Sequence, residues 1–148
     1  VTLTFRNITT DPASPVVGWP TEAVLAALER GGLGDWRRLA AEIRREPWGR
    51  TARQVEEVLS HTRPYGVAEA MEEVIARARA RAEAAERSEV AREVREAIAR
   101  SGLTSTEFAA HIGTSRSRLS TYASGRVVPS AALMVRIRRV AELVSPSA

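Results

Sequence analysis

The chain has 148 residues, 44% hydrophobic and 27% charged, enough for one compact domain or two very small ones and too few for a large enzyme. Basic residues outnumber acidic ones by 22 to 18, a formal charge of +4, and all 22 are arginine. The absence of lysine closes P-loop phosphate binding, Schiff-base and pyridoxal chemistry and the kinase phosphate-pairing position, and the absence of cysteine closes disulfides, thiolate nucleophiles and zinc–thiolate sites.

Residues 1 to about 20 hold Pro12, Pro15, Gly18 and Pro20 among serines and threonines, which predicts an irregular or strand-like arm followed by turns. The opening Val1-Thr-Leu-Thr-Phe5 lacks the basic-then-apolar order of a signal peptide. No run approaches the roughly 18 to 20 apolar residues of a membrane span, so a soluble cytoplasmic protein is expected.

Helical patterns follow. Thr21 to Arg30 places Val24, Leu25 and Leu28 on one face before Gly31-Gly32. Asp35 is a suitable N-cap for a second helix carrying Trp36, Leu39, Ala40 and Ile43, which Pro47 stops. A third, from about Gly49 to Ser60, has Val55, Val58 and Leu59 as its stripe. His61 lies at its end, where an imidazole interacts with the terminal carbonyls. All three tryptophans, Trp19, Trp36 and Trp48, lie in this half, as core or as contact surface for a protein. Glu56-Glu57 and Glu72-Glu73 are adjacent pairs pointing to different helix sides, which does not suit shared acid–base work.

Between Val67 and Arg100 there is no Gly or Pro, and Ala, Glu and Arg dominate, as in one long helix or two in line. Met71, Val74, Ile75 and Ala78 form an apolar face that thins to alanines between Arg79 and Glu89. This stretch is expected to be an exposed connector, with coiled-coil pairing as the alternative. Charge divides near the same place: residues 1–76 hold 9 Arg and 11 acids, net −2, and residues 77–148 hold 13 Arg and 7 acids, net +6. The expected organisation is all-α: an N-terminal helical domain with its arm over 1–66, a helical connector over 67–90 and a third part over 91–148.

The last part carries the densest signals. Val90, Val94, Ala97 and Ile98 stripe a helix that ends at Ser101-Gly102. Thr104-Ser-Thr-Glu107 then matches a capping box. Phe108, Ala109 and Ile112 face inward from a short helix that Gly113 closes, with His111 a partly buried or surface residue on it. Ser115 caps the next helix, with Leu119 and Tyr122 inward and Gly125 at its end. Pro129-Ser130 opens a last one bearing Leu133, Ile137, Val140, Ala141 and Val144. Two short helices joined by a tight glycine turn, the second bearing polar and basic residues outward, make a helix-turn-helix. That device fixes a rigid angle so that the second helix enters a major groove about 12 Å wide.

The segment from about Ala91 to Val144 resembles the Cro/C1-type (Xre) helix-turn-helix family. The resemblance is carried by Gly102-Leu-Thr-Ser-Thr-Glu-Phe-Ala-Ala-His-Ile-Gly113, Thr114-Ser-Arg-Ser-Arg-Leu-Ser-Thr-Tyr-Ala-Ser-Gly125 and Arg126-Val-Val-Pro-Ser130, a little over a third of the chain. It implies that the helix headed by Ser115 reads bases through Arg116, Ser117 and Thr121, and that Ser105, Ser124 and Arg126 grip phosphate. Ser105 stands where the family has Gln, and Ala123 and Ser124 replace a Glu-Asn pair that often braces the domain. Arg116 is the strongest base-reading candidate, because a guanidinium donates two parallel bonds to guanine; Arg118 does the same or clamps a phosphate.

The expected function is a sequence-specific double-stranded-DNA-binding regulator, a repressor acting as a homodimer, without catalysis, cofactor or metal. The alternative is an antitoxin that holds a cognate toxin through its N-terminal domain and represses their shared promoter.

Overall fold

The computed structural model describes residues 2–6 and 8–144, apart from the side chain of Val144, whose expected inward position lies outside what is described. Among the described residues the fold is all-α, with seven helices and no strand. They are α1 (Thr21–Arg30), α2 (Leu33–Arg45), α3 (Arg50–His61), α4 (Val67–Ser101), α5 (Ser105–Ile112), α6 (Arg116–Ala123) and α7 (Ala131–Val144). The chain forms two compact units, residues 1–82 and 83–148.

In the first unit the arm is irregular rather than strand-like, with a single 3-10 turn at Val16–Gly18. What holds it is Trp19, fully buried at the centre of the core, with the Phe5 ring edge-on at 5.1 Å and the Arg38 guanidinium 5.0 Å from its centroid. Arg38 also donates to the carbonyls of Pro12 and Ser14 at 2.6 and 2.8 Å, and the Gln54 amide donates to the Trp19 carbonyl at 2.8 Å. Backbone acceptors of a segment without secondary structure are thereby satisfied by side chains. Val24, Leu28, Leu39, Ile43, Val55 and Leu59 belong to the same core.

Two boundaries differ from the sequence-based expectation. α2 starts at Leu33 on a Gly32 N-cap. Asp35 stands one turn inside, where its carboxylate accepts the Gly32 amide at 3.0 Å. The residue type was right for a helix start, but an acid at this third helical position reaches back to the cap amide as readily as it caps. The first turns of α4 are not a free connector either: Ala68, Met71, Ile75 and Ala78 are buried in the first unit's core. Arg79 fastens this stretch through a bidentate pair with Glu56 (2.6 and 3.1 Å) and a bond to the Pro47 carbonyl (3.0 Å). Residues 83–89 are exposed throughout, matching the thinning of the apolar stripe.

The second unit is built on the later turns of α4. Val94 and Ala97 meet Phe108, Ala109 and Ile112 of α5, Leu119 and Tyr122 of α6, and Met134, Ile137, Val140 and Ala141 of α7 in one cluster. The two cores share no residue.

Candidate nucleic-acid interface

The geometry of α5 and α6 follows from their caps. At Thr104 the hydroxyl accepts the Glu107 amide at 3.2 Å, and the Glu107 carboxylate accepts the Thr104 amide at 3.0 Å, so both groups of the expected capping box are engaged. Gly113 ends α5 with φ 78° and ψ 33°, a left-handed conformation, and the Thr114 amide returns to the Ala109 carbonyl at 2.9 Å. Ser115 then caps α6 by accepting the Arg118 amide at 3.2 Å. Three residues therefore separate two helices whose ends are all hydrogen-bonded. Phe108, Ile112 and Leu119, each no more than 1% exposed, lock them together from beneath.

The candidate residues fall into three groups. Ser115, Arg116, Ser117 and Arg118 are exposed on the first turn of α6 or its cap. The Ser115 and Ser117 hydroxyls lie 3.3 Å apart. Arg116 makes no hydrogen bond or ion pair among the described residues. Arg118 does not project freely: its Nε donates to the Tyr122 hydroxyl at 3.4 Å, which holds its already high pKa higher still. One turn on, Thr121 is half-buried and its hydroxyl donates to the Arg118 carbonyl at 2.6 Å, leaving it only its acceptor capacity. In the turn after α6 the Ser124 hydroxyl donates to the Thr121 carbonyl at 3.1 Å and accepts the Arg126 amide at 3.4 Å. The Arg126 guanidinium is exposed and has no partner among the described residues. Ser105, exposed on the first turn of α5, belongs to neither cluster, and its hydroxyl makes no bond among the described residues.

Charge concentrates in this segment. From Phe108 to Ala141 there are six arginines and no acidic residue. Glu93 of α4 neutralises Arg138 (2.6 Å), and Arg136 turns to the Ile112 carbonyl (3.4 Å), while Arg116, Arg126 and Arg139 have no protein partner among the described residues. With the amide dipole of α6 adding partial positive charge at its N-terminus, the site suits a polyanion carrying hydrogen-bond acceptors.

Sequence reading missed Arg95. The Glu-Asn pair absent at 123 and 124 leaves the end of α6 without its usual brace, and Arg95 of α4 supplies one by donating to the Ala123 carbonyl at 2.6 Å. The Glu93–Arg138 pair ties α4 to α7 in the same way, and its hydrogen bond holds the Glu93 carboxyl below the ordinary range against a smaller opposing effect of burial. These partners are 28 and 45 residues apart, so no local pattern reveals them. Tyr122 is packed as expected, 6% exposed, with the added task of receiving Arg118.

Comparison with protein families gives a match to the helix-turn-helix model over residues 92–147. The C-terminal segment is thus similar to helix-turn-helix domains of the Cro/C1 type. The match falls on the segment for which the resemblance was expected and supports a DNA-binding transcription regulator. No curated protein and no solved structure matches the chain. Among the described residues there is no cluster of His, Asp or Glu suited to a metal ion, and no helix is long and apolar enough to cross a membrane.

Proposed function

We propose that the protein is a cytoplasmic, sequence-specific transcriptional repressor that binds double-stranded DNA as a homodimer. α6 lies in the major groove, Arg116 reads a guanine, and Ser105, Ser115, Ser124 and Arg126 hold the flanking phosphates. One observation carries this reading: an unpaired guanidinium stands on the first turn of a rigidly capped helix, inside a stretch of 34 residues with six arginines and no acid. Ser117 and Thr121 are the remaining groove-side candidates. Because Thr121 already donates its hydroxyl hydrogen to the helix, it offers a base only an acceptor or its methyl group. Arg118 contributes as a phosphate clamp steered by Tyr122 rather than as a second free reader. A single domain of this size reads few base pairs, and a two-fold pair reading half-sites about 34 Å apart multiplies both affinity and specificity.

The test begins with selection of a preferred duplex from random DNA by the full chain, then measures binding to that duplex and to a scrambled one across salt concentrations. Arg116→Ala is expected to lower discrimination by about tenfold or more, the loss of roughly 1 to 3 kcal/mol for a bidentate base contact, with little change on scrambled DNA. Arg126→Ala is expected to weaken both duplexes alike and to reduce the salt slope by about one counterion. Equal losses on both duplexes for both variants would overturn the assignment of roles. A complex with one protomer per selected duplex, measured by sedimentation, would overturn the dimer.

A further inference from the structure

The first unit holds eleven acidic residues, and eight of them are matched inside it. Glu42 and Glu46 pair with Arg45, Glu56 with Arg79, Glu69 and Glu72 with Arg63, and Glu73 with Arg77. Asp11 and Asp35 accept the backbone amides of Ala13 and Gly32. The three left without a cation or a backbone donor among the described residues are Glu22, Glu29 and Glu57; Glu29 accepts only the Thr62 hydroxyl, at 3.2 Å. All three line one depression of about 270 Å³ between α1 and α3, with Leu25 and Val58 among its lining residues and His61 at its α3 end. Arg6 and Arg30 border the neighbouring hollow, which Glu22 and Glu29 also line, yet neither forms an ion pair with them.

Size and sign together restrict what fits. The depression falls short of the roughly 300 to 1,000 Å³ usual for small-molecule pockets and suits one aliphatic side chain. Glu22, Glu29 and Glu57 line the same depression and none is neutralised by an ion pair among the described residues, so their negative potential remains available to a ligand there. A ligand bringing only apolar surface would bury those carboxylates unpaired, at high cost, so the occupant must carry cations beside its apolar anchor.

We propose that the α1/α3 groove docks a segment of a partner protein that presents an aliphatic side chain flanked by arginine or lysine. This site is separate from the DNA-binding reading and stands or falls without it.

The test uses the full chain and two synthetic amphipathic peptides with identical leucines, one with lysine flanks and one with glutamate flanks. The lysine peptide is expected to bind at least about tenfold more tightly, with NMR shifts centred on Leu25, Val58 and His61. The double variant Glu22→Lys, Glu57→Lys is expected to lose about tenfold in that binding, with Glu22→Gln, Glu57→Gln between it and the parent. Both variants should keep the tryptophan-reported unfolding midpoint and the affinity for selected DNA, so a folding defect or a failure of the DNA reading is distinguishable. Equal binding of the two peptides, binding unaffected by the charge reversal, shifts centred outside the groove, or closure of the groove by a second copy of the chain in sedimentation would each overturn the proposal.

Discussion

The two units dispose of their charge in opposite ways. Residues 1–82 carry 12 Arg and 11 acids, and most of those acids are neutralised in place by ion pairs, so the surplus of +1 says little about the surface. Residues 83–148 carry 10 Arg and 7 acids, a surplus of only +3, but five of the seven acids lie on α4 between Glu83 and Glu96, and Glu107 is used in a cap. Between Glu107 and Glu142 the acids stop and six arginines continue. A bulk charge of +4 is thus a poor guide to function, while the distribution of acids says where a polyanion can approach and, in the first unit, where a cation can.

The largest expected effect tests whether the units are separable at all. Phe108 is fully buried in the second core, and Phe108→Ala should cost that core about 3 to 5 kcal/mol, enough to unfold a small domain. All three tryptophans lie in the first unit, so fluorescence reports on that unit alone. The expected outcome is loss of DNA binding and of part of the helical circular dichroism, with the tryptophan unfolding midpoint unmoved. A midpoint that falls together with the helical signal would mean that the shared helix α4 couples both cores into one folding unit.

Glycines that end helices in the two units do so for different physical reasons, which gives the next prediction. Gly113 has φ 78°, where a side chain is strained but has room, its nearest neighbour being the Arg136 guanidinium at 3.7 Å. Gly31 has φ −78°, an ordinary value, but a Cβ there would stand 2.3 Å from the Ala27 carbonyl oxygen. Both alanine substitutions should destabilise, Gly113→Ala by about 1 to 2 kcal/mol and Gly31→Ala by about 1 to 3. Asparagine separates them: it tolerates the left-handed region and should recover part of the loss at 113, whereas at 31 it meets the same carbonyl and should recover none. The readouts are helical dichroism for the first position and tryptophan fluorescence for the second.

Where the fold was legible in sequence, one local rule was at work. The capping box at Thr104, the glycine at 113 and the serine at 115 each act within five residues, so α5 and α6 and the inward set of Phe108, Ile112, Leu119 and Tyr122 follow from spacing alone. The placing of Asp35 failed by a single turn because an acid serves equally well at the cap or three residues later. The connector was expected to begin at 67 because a stripe of Met71, Ile75 and Ala78 reads the same whether the helix covers its own domain or merely leaves it; only the core built around Trp19 decides. At the interface, sequence identifies which residues stand on α6. It is silent on which hydroxyls and guanidinium groups are already engaged, as in the Thr121 bond to Arg118 and the Arg118 bond to Tyr122, since helical spacing permits such bonds without choosing the rotamer that makes them.

The smallest expected effect concerns acid. Glu93 has its carboxyl held below the ordinary range, first by the hydrogen bond from Arg138 and further by the charges of Arg138, Arg92 and Arg100. A carboxyl depressed in the folded state binds fewer protons there than in the unfolded chain. Its contribution is therefore complete above the ordinary glutamate value of about 4.3 and is lost as pH falls through the lower folded value. Glu42 and Glu72 are lowered in the same direction by Arg45 and Arg63, so both units should weaken on acidification. Glu93→Gln separates them: the acid limb measured by helical dichroism of the second unit should become shallower, while the tryptophan-reported limb keeps its shape. Because the pair is half exposed, the difference should also shrink in high salt. An acid limb that is unchanged by Glu93→Gln at low salt would mean that the Glu93–Arg138 pair does not brace α4 against α7, leaving Arg95 as the long-range tie to the end of α6.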